Sequence, residues 1–254
     1  MLNQPKVFLI NLDKSTERLK KSSERLAAQN IQFELIQAID GTKLTDAEIQ
    51  AHYSSQLNSK QYYRNLGYGE IGCFLSHRLA WQKIVEQKLP YAIVLEDDFQ
   101  LVGELAPLFN TIGSLTFEWQ LLKLAAYQNR TRPIKATKQV NEEFDLVLHK
   151  KPLTGCCAQA ITYNAAKQLL AITEQFACPV DTQIQRTWQT GVSVYSLMPF
   201  LIEQDGKVGS EITAACQNQV IRKYFFKRKV QQIHDKFNHF KQTQKARKVI
   251  LSLL

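Results

Sequence analysis

The chain carries no GxGxxG after its first apolar segment, which argues against a dinucleotide cofactor. It also has no CxxC spacing. Its five cysteines (Cys73, Cys156, Cys157, Cys178 and Cys216) are odd in number, and the adjacent Cys156–Cys157 pair is a poor disulfide candidate, so reduced thiols are expected. No segment approaches the ~18 consecutive apolar residues of a membrane-spanning helix. The opening Met1-Leu2-Asn3-Gln4-Pro5-Lys6 lacks the charged region and long apolar run of a signal peptide, so a cytoplasmic protein is expected. Internal repeats and low-complexity linkers are absent. Between Ile221 and Leu254 acidic residues are almost missing: ten Lys and Arg side chains face Asp235 alone, which accounts for the whole net charge of +9. The excess charge therefore belongs to the C-terminal end and says nothing about the rest of the chain.

What is present fits a folded α/β protein. Hydrophobic residues at 44% and charged residues at 22% exclude wholesale disorder, and 254 residues suit one large domain with a C-terminal extension. The most informative stretch is Tyr91-Ala92-Ile93-Val94-Leu95-Glu96-Asp97-Asp98. A short apolar run opened by Pro90 reads as a strand buried in a parallel sheet, and it ends in three carboxylates. Ligands of open α/β sheets sit outside the carboxyl ends of the strands. Three adjacent acids there repel one another and lose hydration, so a positive partner is required, and a hard divalent cation holding a phosphorylated substrate meets the need. Alternation along an extended segment predicts Glu96 and Asp98 on one side and Asp97 on the other.

Val7–Leu12 reads as a first buried strand. Asp13 and Ser15 offer capping oxygens for a helix carrying Leu19, Leu26 and Ala27, and Phe33–Ile39 reads as a second strand ending at Asp40-Gly41. This strand–helix–strand opening is the signature of a Rossmann-type nucleotide-binding half. Residues 52–68 read as a polar loop with Tyr62, Tyr63 and Tyr68. A helix over 70–87 follows, then strands at 119–124 and 192–197 with a helix over 164–173 between them. Glu70, Cys73 and His77 share one helical stripe, with Ser76 beside them. The stripe reads either as the polar side of a surface helix or as part of a site. Zinc is a poor fit to it, since a fourth ligand is needed and no second cluster is visible.

Gly69-Glu70-Ile71-Gly72-Cys73-Phe74-Leu75-Ser76-His77 followed by Leu95-Glu96-Asp97-Asp98 resembles glycosyltransferase family 25, the bacterial lipooligosaccharide galactosyltransferases related to the collagen galactosyltransferases. Val7–Asp13 with Arg18, Ala38-Ile39-Asp40-Gly41, Pro179-Val180-Asp181 and Ile202-Glu203-Gln204 resemble it too, in order from about residue 6 to about residue 205. The resemblance implies a GT-A-like fold over residues 1–210, a UDP-sugar donor (UDP-galactose in first place) and inversion at the anomeric carbon. It implies a divalent metal, Mn2+ or Mg2+, at the acidic motif. Asp98 is then the expected metal ligand with Glu96, which also lies near the ribose, and Asp97 is supportive.

Inversion needs a general base from another part of the chain. Asp181 is the leading candidate, with helix N-capping its other reading, and Glu203 is the reserve. Asn11, Arg18 and Gly155 are expected on the donor side. Glu70, Ser76 and His77 are expected near the acceptor or orienting the acids, and Tyr62, Tyr63, Tyr68 and Trp188 offer ring faces for sugars or are core aromatics. In residues 211–254, Phe226, Val230, Ile233, Phe237 and Phe240 recur at helical steps among the cations. That pattern fits a helix docked by its apolar side, or one lying on an anionic membrane surface, such as the cytoplasmic face of a bacterial inner membrane bearing a glycolipid acceptor. A nucleic-acid arm explains the charge but not the stripe, so no nucleic-acid partner is expected. A metal-dependent phosphodiesterase and a basic nucleic-acid-binding protein stand as the alternative functions.

Overall fold

The computed structural model describes residues 4–126, 132–205 and 221–252. Strand β1 (Lys6–Asn11), helix α1 (Thr16–Ala27) and strand β2 (Glu34–Gln37) form the expected Rossmann-type opening, with β1 parallel to β2. Ser15 stands at the N-cap of α1, but its side chain does not cap the helix. Strand β3 (Tyr91–Glu96) pairs parallel with the other edge of β1. Val7 and Leu9 pack into one core cluster while Phe8 and Ile10 pack into the other, and Ile93 and Leu95 are divided from Val94 in the same way. Both faces of these strands are thus covered, which is why they read as unbroken apolar runs. Each such side chain contributes about 1.5–3 kcal/mol by leaving water.

The purely parallel expectation stops at β3. Its outer neighbour is β9 (Ala158–Thr162), which runs antiparallel to both β3 and β5 (Leu121–Lys123). The full sheet runs β2-β1-β3-β9-β5-β10-β8-β7, completed by β10 (Val194–Met198), β8 (Asp145–His149) and β7 (Ile134–Gln139). Direction matters for function here. Because β9 is antiparallel, its beginning rather than its end lies beside the end of β3, with Ala158 opposite Leu95 and Cys157 O accepting from Glu96 N at 2.8 Å. The loop through Gly155 and Cys156 is thereby delivered to the acids. A second, three-stranded sheet orders β4 (Phe99–Leu101), β11 (Ile202–Gln204) and β6 (Ala125–Ala126), and sets Gln204 beside the turn that holds Asp98.

The stretch expected as loop at 52–68 instead contains helix α3 (Ser55–Gln61), which follows α2 (Asp46–His52). Ser54 caps α3 through Leu57 N, and Thr45 and Glu48 form a capping box on α2. Aliphatics are scarce in α3 because side-chain bonds hold it: buried Asn58 donates to Arg64 O and Ala177 O. Helix α4 (Tyr68–Glu86) spans the expected segment and buries Ile71, Phe74, Leu75, Ser76 and His77. The reading of its Glu70–His77 stripe as a solvated surface is therefore wrong: His77 is fully buried. Among the described residues the remaining helices are α5 (Leu105–Gly113), α6 (Tyr163–Ile172), α7 (Val180–Gln185), α8 (Thr187–Thr190) and a long α9 (Phe225–Ser252). The expected boundary at residues 210 and 211 lies outside the described residues, as does Cys216. The four other cysteines are free thiols.

Two glycines from separate motifs form one contact. Gly41 opens a 3-10 turn (Gly41–Lys43) that lies against the first turns of α4, and Gly72 faces it from the helix. A Cβ on Gly72 would collide with the Ile39 carbonyl and stand 2.7 Å from Gly41 N. The neighbours are backbone and cannot rotate away. Gly72→Ala should cost about 1–3 kcal/mol, read as a lower urea midpoint at unchanged slope.

Candidate functional site

The carboxyl ends of β1 and β3, the loop before β9 and the first turns of α4 and α7 enclose a cleft of about 290 Å³. Glu96, Asp97 and Asp98 all line it. The expected alternation fails because the strand ends at Glu96 and the chain then turns, so the acids fan around one opening.

Asp97 is held from below. Asn11 Nδ2 donates to Asp97 Oδ2 at 2.6 Å and to Ser15 O at 3.1 Å, Arg18 lies 3.1 Å from Oδ1, and Ser22 Oγ donates to the Asp97 carbonyl. Burial raises its carboxyl above the ordinary range, opposed chiefly by the Arg18 charge. Glu96 accepts from or shares a proton with His77 Nε2 at 2.9 Å, with Cys73 Sγ 3.9 Å away. Burial and the Glu96 charge push the Cys73 thiol well above its ordinary value.

Asp98 is the exceptional acid. Its Oδ2 accepts from Gln204 Nε2 at 2.6 Å, and its carbonyl accepts from Asp205 N. Its Oδ1 is buried and has no hydrogen-bond partner among the described residues. Burial first, then the Glu96 charge, lifts its carboxyl to about 6. A buried carboxylate oxygen with no donor, in a cleft shared with two further carboxylates, suits a hard divalent cation, which supplies charge and accepts oxygen ligands. Asp98 and Glu96 are the residues that would hold it.

Across the cleft, Asp181 sits in the first turn of α7. Its Oδ1 accepts from Thr182 N at 2.6 Å, and its Oδ2 lies 3.4 Å from Gly155 N. The carboxylate therefore bonds helix-terminal amides while its second oxygen faces the Gly155 loop. Gly155 adopts φ of +80°, a left-handed conformation that glycine supplies without strain. Buried Lys123 fixes this loop by donating to the Gly155 carbonyl at 2.6 Å.

Other expected residues are placed differently. Glu203 is not part of the lining: it lies 3.4 Å from Gln100 Nε2 on β4, while the next residue, Gln204, faces the cleft, as period-two alternation requires. Both carboxylate oxygens of Glu70 bond Arg64 at 2.6 Å, and one also accepts from Gly67 N, so this acid at the rim closes the start of α4. Ser76 Oγ spends its capacity on Gly72 O and Ile39 N.

The tyrosines expected to face sugar rings do not line the cleft. Tyr62 is 5% exposed within the core, where burial raises its hydroxyl pKa, and it packs against Tyr63 with ring centres 4.8 Å apart. Tyr63 meets Arg228 of α9, and Trp188 stands edge-on to His239 of α9 at 4.7 Å. Residues given no site role from sequence also reach the cleft, among them Lys14, Asp40, Cys156 and Gln204. Hydrogen bonds from Thr42, with Lys14 2.9 Å away, hold the Asp40 carboxyl at about 2. The turn Asp40-Gly41 was the available signal for it.

The raised Asp98 value carries a sign. The folded state binds its extra proton between the ordinary carboxyl value and about 6, so stability falls as pH rises through that window. In metal-free protein, Asp98→Asn should raise stability by about 1–2 kcal/mol at pH 7.5, and the gain should fade as pH is lowered toward 4. Urea unfolding at both pH values measures it.

Comparison with known proteins adds a family. Residues 4–184 match the sequence profile described as glycosyltransferase family 25 (LPS biosynthesis protein). A putative glycosyltransferase of Haemophilus influenzae is 29% identical over 177 residues, 70% of this chain and 60% of that protein. Human procollagen galactosyltransferase 2 is 29% identical over 142 residues, covering 53% of this chain and 23% of its own length. Procollagen galactosyltransferase 1 of Danio rerio is 31% identical over 143 residues, 53% of this chain and 24% of its own. The match thus spans about a quarter of the procollagen galactosyltransferases. Among solved structures, apo-form glycosyltransferase GlyE of Streptococcus pneumoniae aligns with 96% of this chain and 64% of that one, at a TM-score of 0.43 and 12% identity. With most of its length inside the matched profile, the chain belongs to glycosyltransferase family 25.

Proposed function

We propose that this protein is an inverting hexosyltransferase that moves galactose from UDP-galactose, in β linkage, to a lipooligosaccharide or lipopolysaccharide acceptor. The observation that carries the proposal is the three-carboxylate cleft at the carboxyl end of β1 and β3, with a donor-free oxygen on Asp98. The galactose assignment draws on the names of the procollagen relatives, and the acceptor assignment on the description of the family.

Asp98 and Glu96 would hold a divalent ion, Mn2+ or Mg2+, which would neutralise charge developing on a departing diphosphate. The chain's own residues do the rest. Arg18 and Asn11 lock Asp97, which keeps the turn from relaxing away from its repelling neighbours. A second concavity of about 300 Å³, lined by Asp13, Lys14, Gln37 and Asp40, continues the cleft along the ends of β1 and β2 and suits the nucleoside. Asp181, across the cleft, takes the proton from the acceptor hydroxyl as the sugar bond forms. Its Oδ2 is the oxygen less engaged by amides, with Gly155 N at 3.4 Å against 2.6 Å for Thr182 N on Oδ1.

Helix α9 extends the proposal to location. It packs on β7, β8 and α8 through a face that buries His239, Thr243 and Ile250. The apolar stripe is not the docking face: Phe226 is 83% exposed, Ile233 71% and Phe240 61%. An outward stripe flanked by lysines and arginines suits insertion into an anionic membrane surface, here the cytoplasmic face of a bacterial inner membrane, better than a polynucleotide.

Manganese-dependent release of UDP should be greatest with UDP-galactose in a panel of nucleotide sugars. Asp181→Asn should lose transfer by at least about a hundredfold while donor hydrolysis persists; equal transfer by this variant would remove Asp181 as base. In vesicle flotation, phosphatidylglycerol should retain the chain and phosphatidylcholine should not. Replacing Phe226 and Phe237 by Ser should weaken retention at least about tenfold, since each Phe leaving an apolar phase costs about 1.5–3 kcal/mol.

A further inference from the structure

Cys73, His77 and Glu96 were separate features in the sequence, two on a helix and one at a strand end. The fold brings Sγ, a ring nitrogen and a carboxylate oxygen within 4.8 Å of one another. Cys73 and His77 are four residues apart on α4, and therefore on adjacent turns of one face. The ligand missing from the helix comes from β3, as the Glu96 carboxylate. The geometry points to a soft-metal site of the zinc class at Cys73, His77 and Glu96, distinct in chemistry from the hard, oxygen-only site at Asp98.

Three arguments support it. The first is distance. Tetrahedral zinc with bonds of about 2.1 Å to N or O and about 2.3 Å to S holds its ligand atoms roughly 3.4–3.6 Å apart. The observed separations are 2.9 Å for His77 Nε2 to Glu96 Oε1 and 3.9 Å for Cys73 Sγ to the same oxygen. Opening one and closing the other by about half an ångström lies within small side-chain rotations. The second is access: all three residues line the cleft, so a fourth position stays open to water, as in three-ligand zinc sites. The third is ligand chemistry. A thiolate with an imidazole selects zinc over magnesium or manganese, which prefer oxygen alone.

Binding balances without any redox partner. The ion replaces the Cys73 S–H proton, which leaves to solvent, and the His77 ring proton moves from Nε2 to Nδ1. Buried Nδ1 has no acceptor among the described residues, so ion binding must also offset an unpaired N–H there. Both sites draw on Glu96. A zinc-class ion therefore withdraws Glu96 from the hard-ion site, and inhibition relieved by excess Mn2+ follows. That consequence rests on the transferase reading, whereas the binding itself does not.

The test uses cobalt(II) with the full chain and no donor. One equivalent should give a near-ultraviolet thiolate-to-metal absorption that zinc abolishes. Cys73→Ser should lose the absorption, Cys156→Ser should keep it, and His77→Gln should weaken cobalt binding at least about tenfold. A measurement on the native chain needs no variant to fold: zinc should slow iodoacetamide alkylation of Cys73, followed by peptide mass. No thiolate absorption, one that survives in Cys73→Ser, or unprotected Cys73 would each overturn the site. Failure of cobalt binding leaves the transferase reading standing, and failure of UDP release leaves the metal site standing.

Discussion

Like-charge repulsion at the end of a buried strand is the constraint on which the rest of this structure depends. Glu96, Asp97 and Asp98 follow four residues with no solvent exposure and emerge into one cleft. In such surroundings each charge interacts more strongly than in water, and each unpaired oxygen costs more. The fold answers each acid differently. Asp97 receives an arginine and an amide, Glu96 a histidine, and Asp98 a glutamine on one oxygen only. The remaining Asp98 oxygen is the unsatisfied end of this arrangement. A chain that completed that bond internally would gain stability and lose the feature on which the proposed cation site rests.

The supporting architecture can be traced to the same point. The antiparallel direction of β9 brings the Gly155–Cys157 loop to the acids, and the small sheet of β4, β11 and β6 brings Gln204. The interlocked pair Gly41 and Gly72 lets α4 approach closely enough for His77 to reach Glu96. These are long-range placements, joining segments as far apart in the chain as Asn11 and Gln204.

That separation explains what sequence could and could not disclose. The β1–α1–β2 opening, α4 and the acidic strand were legible because burial on both sheet faces or along one helical face leaves a local pattern. The strand β9 was not, since Ala-Gln-Ala-Ile-Thr has neither alternation nor a long apolar run. Alternation misled at Asp97 because it holds only while the chain stays extended. The same rule, applied to β11, puts Gln204 and Glu203 on opposite sides without choosing between them, and a carboxylate attracts attention where an amide does not. Tyr62 and Glu70 show the complementary limit. Residue type suggested sugar faces and acceptor contacts, whereas a core position and the Arg64 pair had already claimed them. Cys73, His77 and Glu96 fell between the two cases, because a helical stripe supplies two ligands and only the tertiary fold supplies the third.

Helix α9 follows an economy of its own. The lone acid among its cations, Asp235, lies 3.5 Å from Arg186, whose guanidinium is nearly buried and also reaches the Gln61 carbonyl. His239 packs on Trp188 one turn further along, and burial, reinforced by Lys151, keeps its ring neutral by lowering its pKa to about 4. The inward face thus spends the only negative charge and a neutralised histidine, which leaves the lysines, arginines and aromatic stripe outward. The inward face of the helix is therefore matched to Arg186 and Trp188 beneath it, and the apolar stripe lies on the opposite, exposed side.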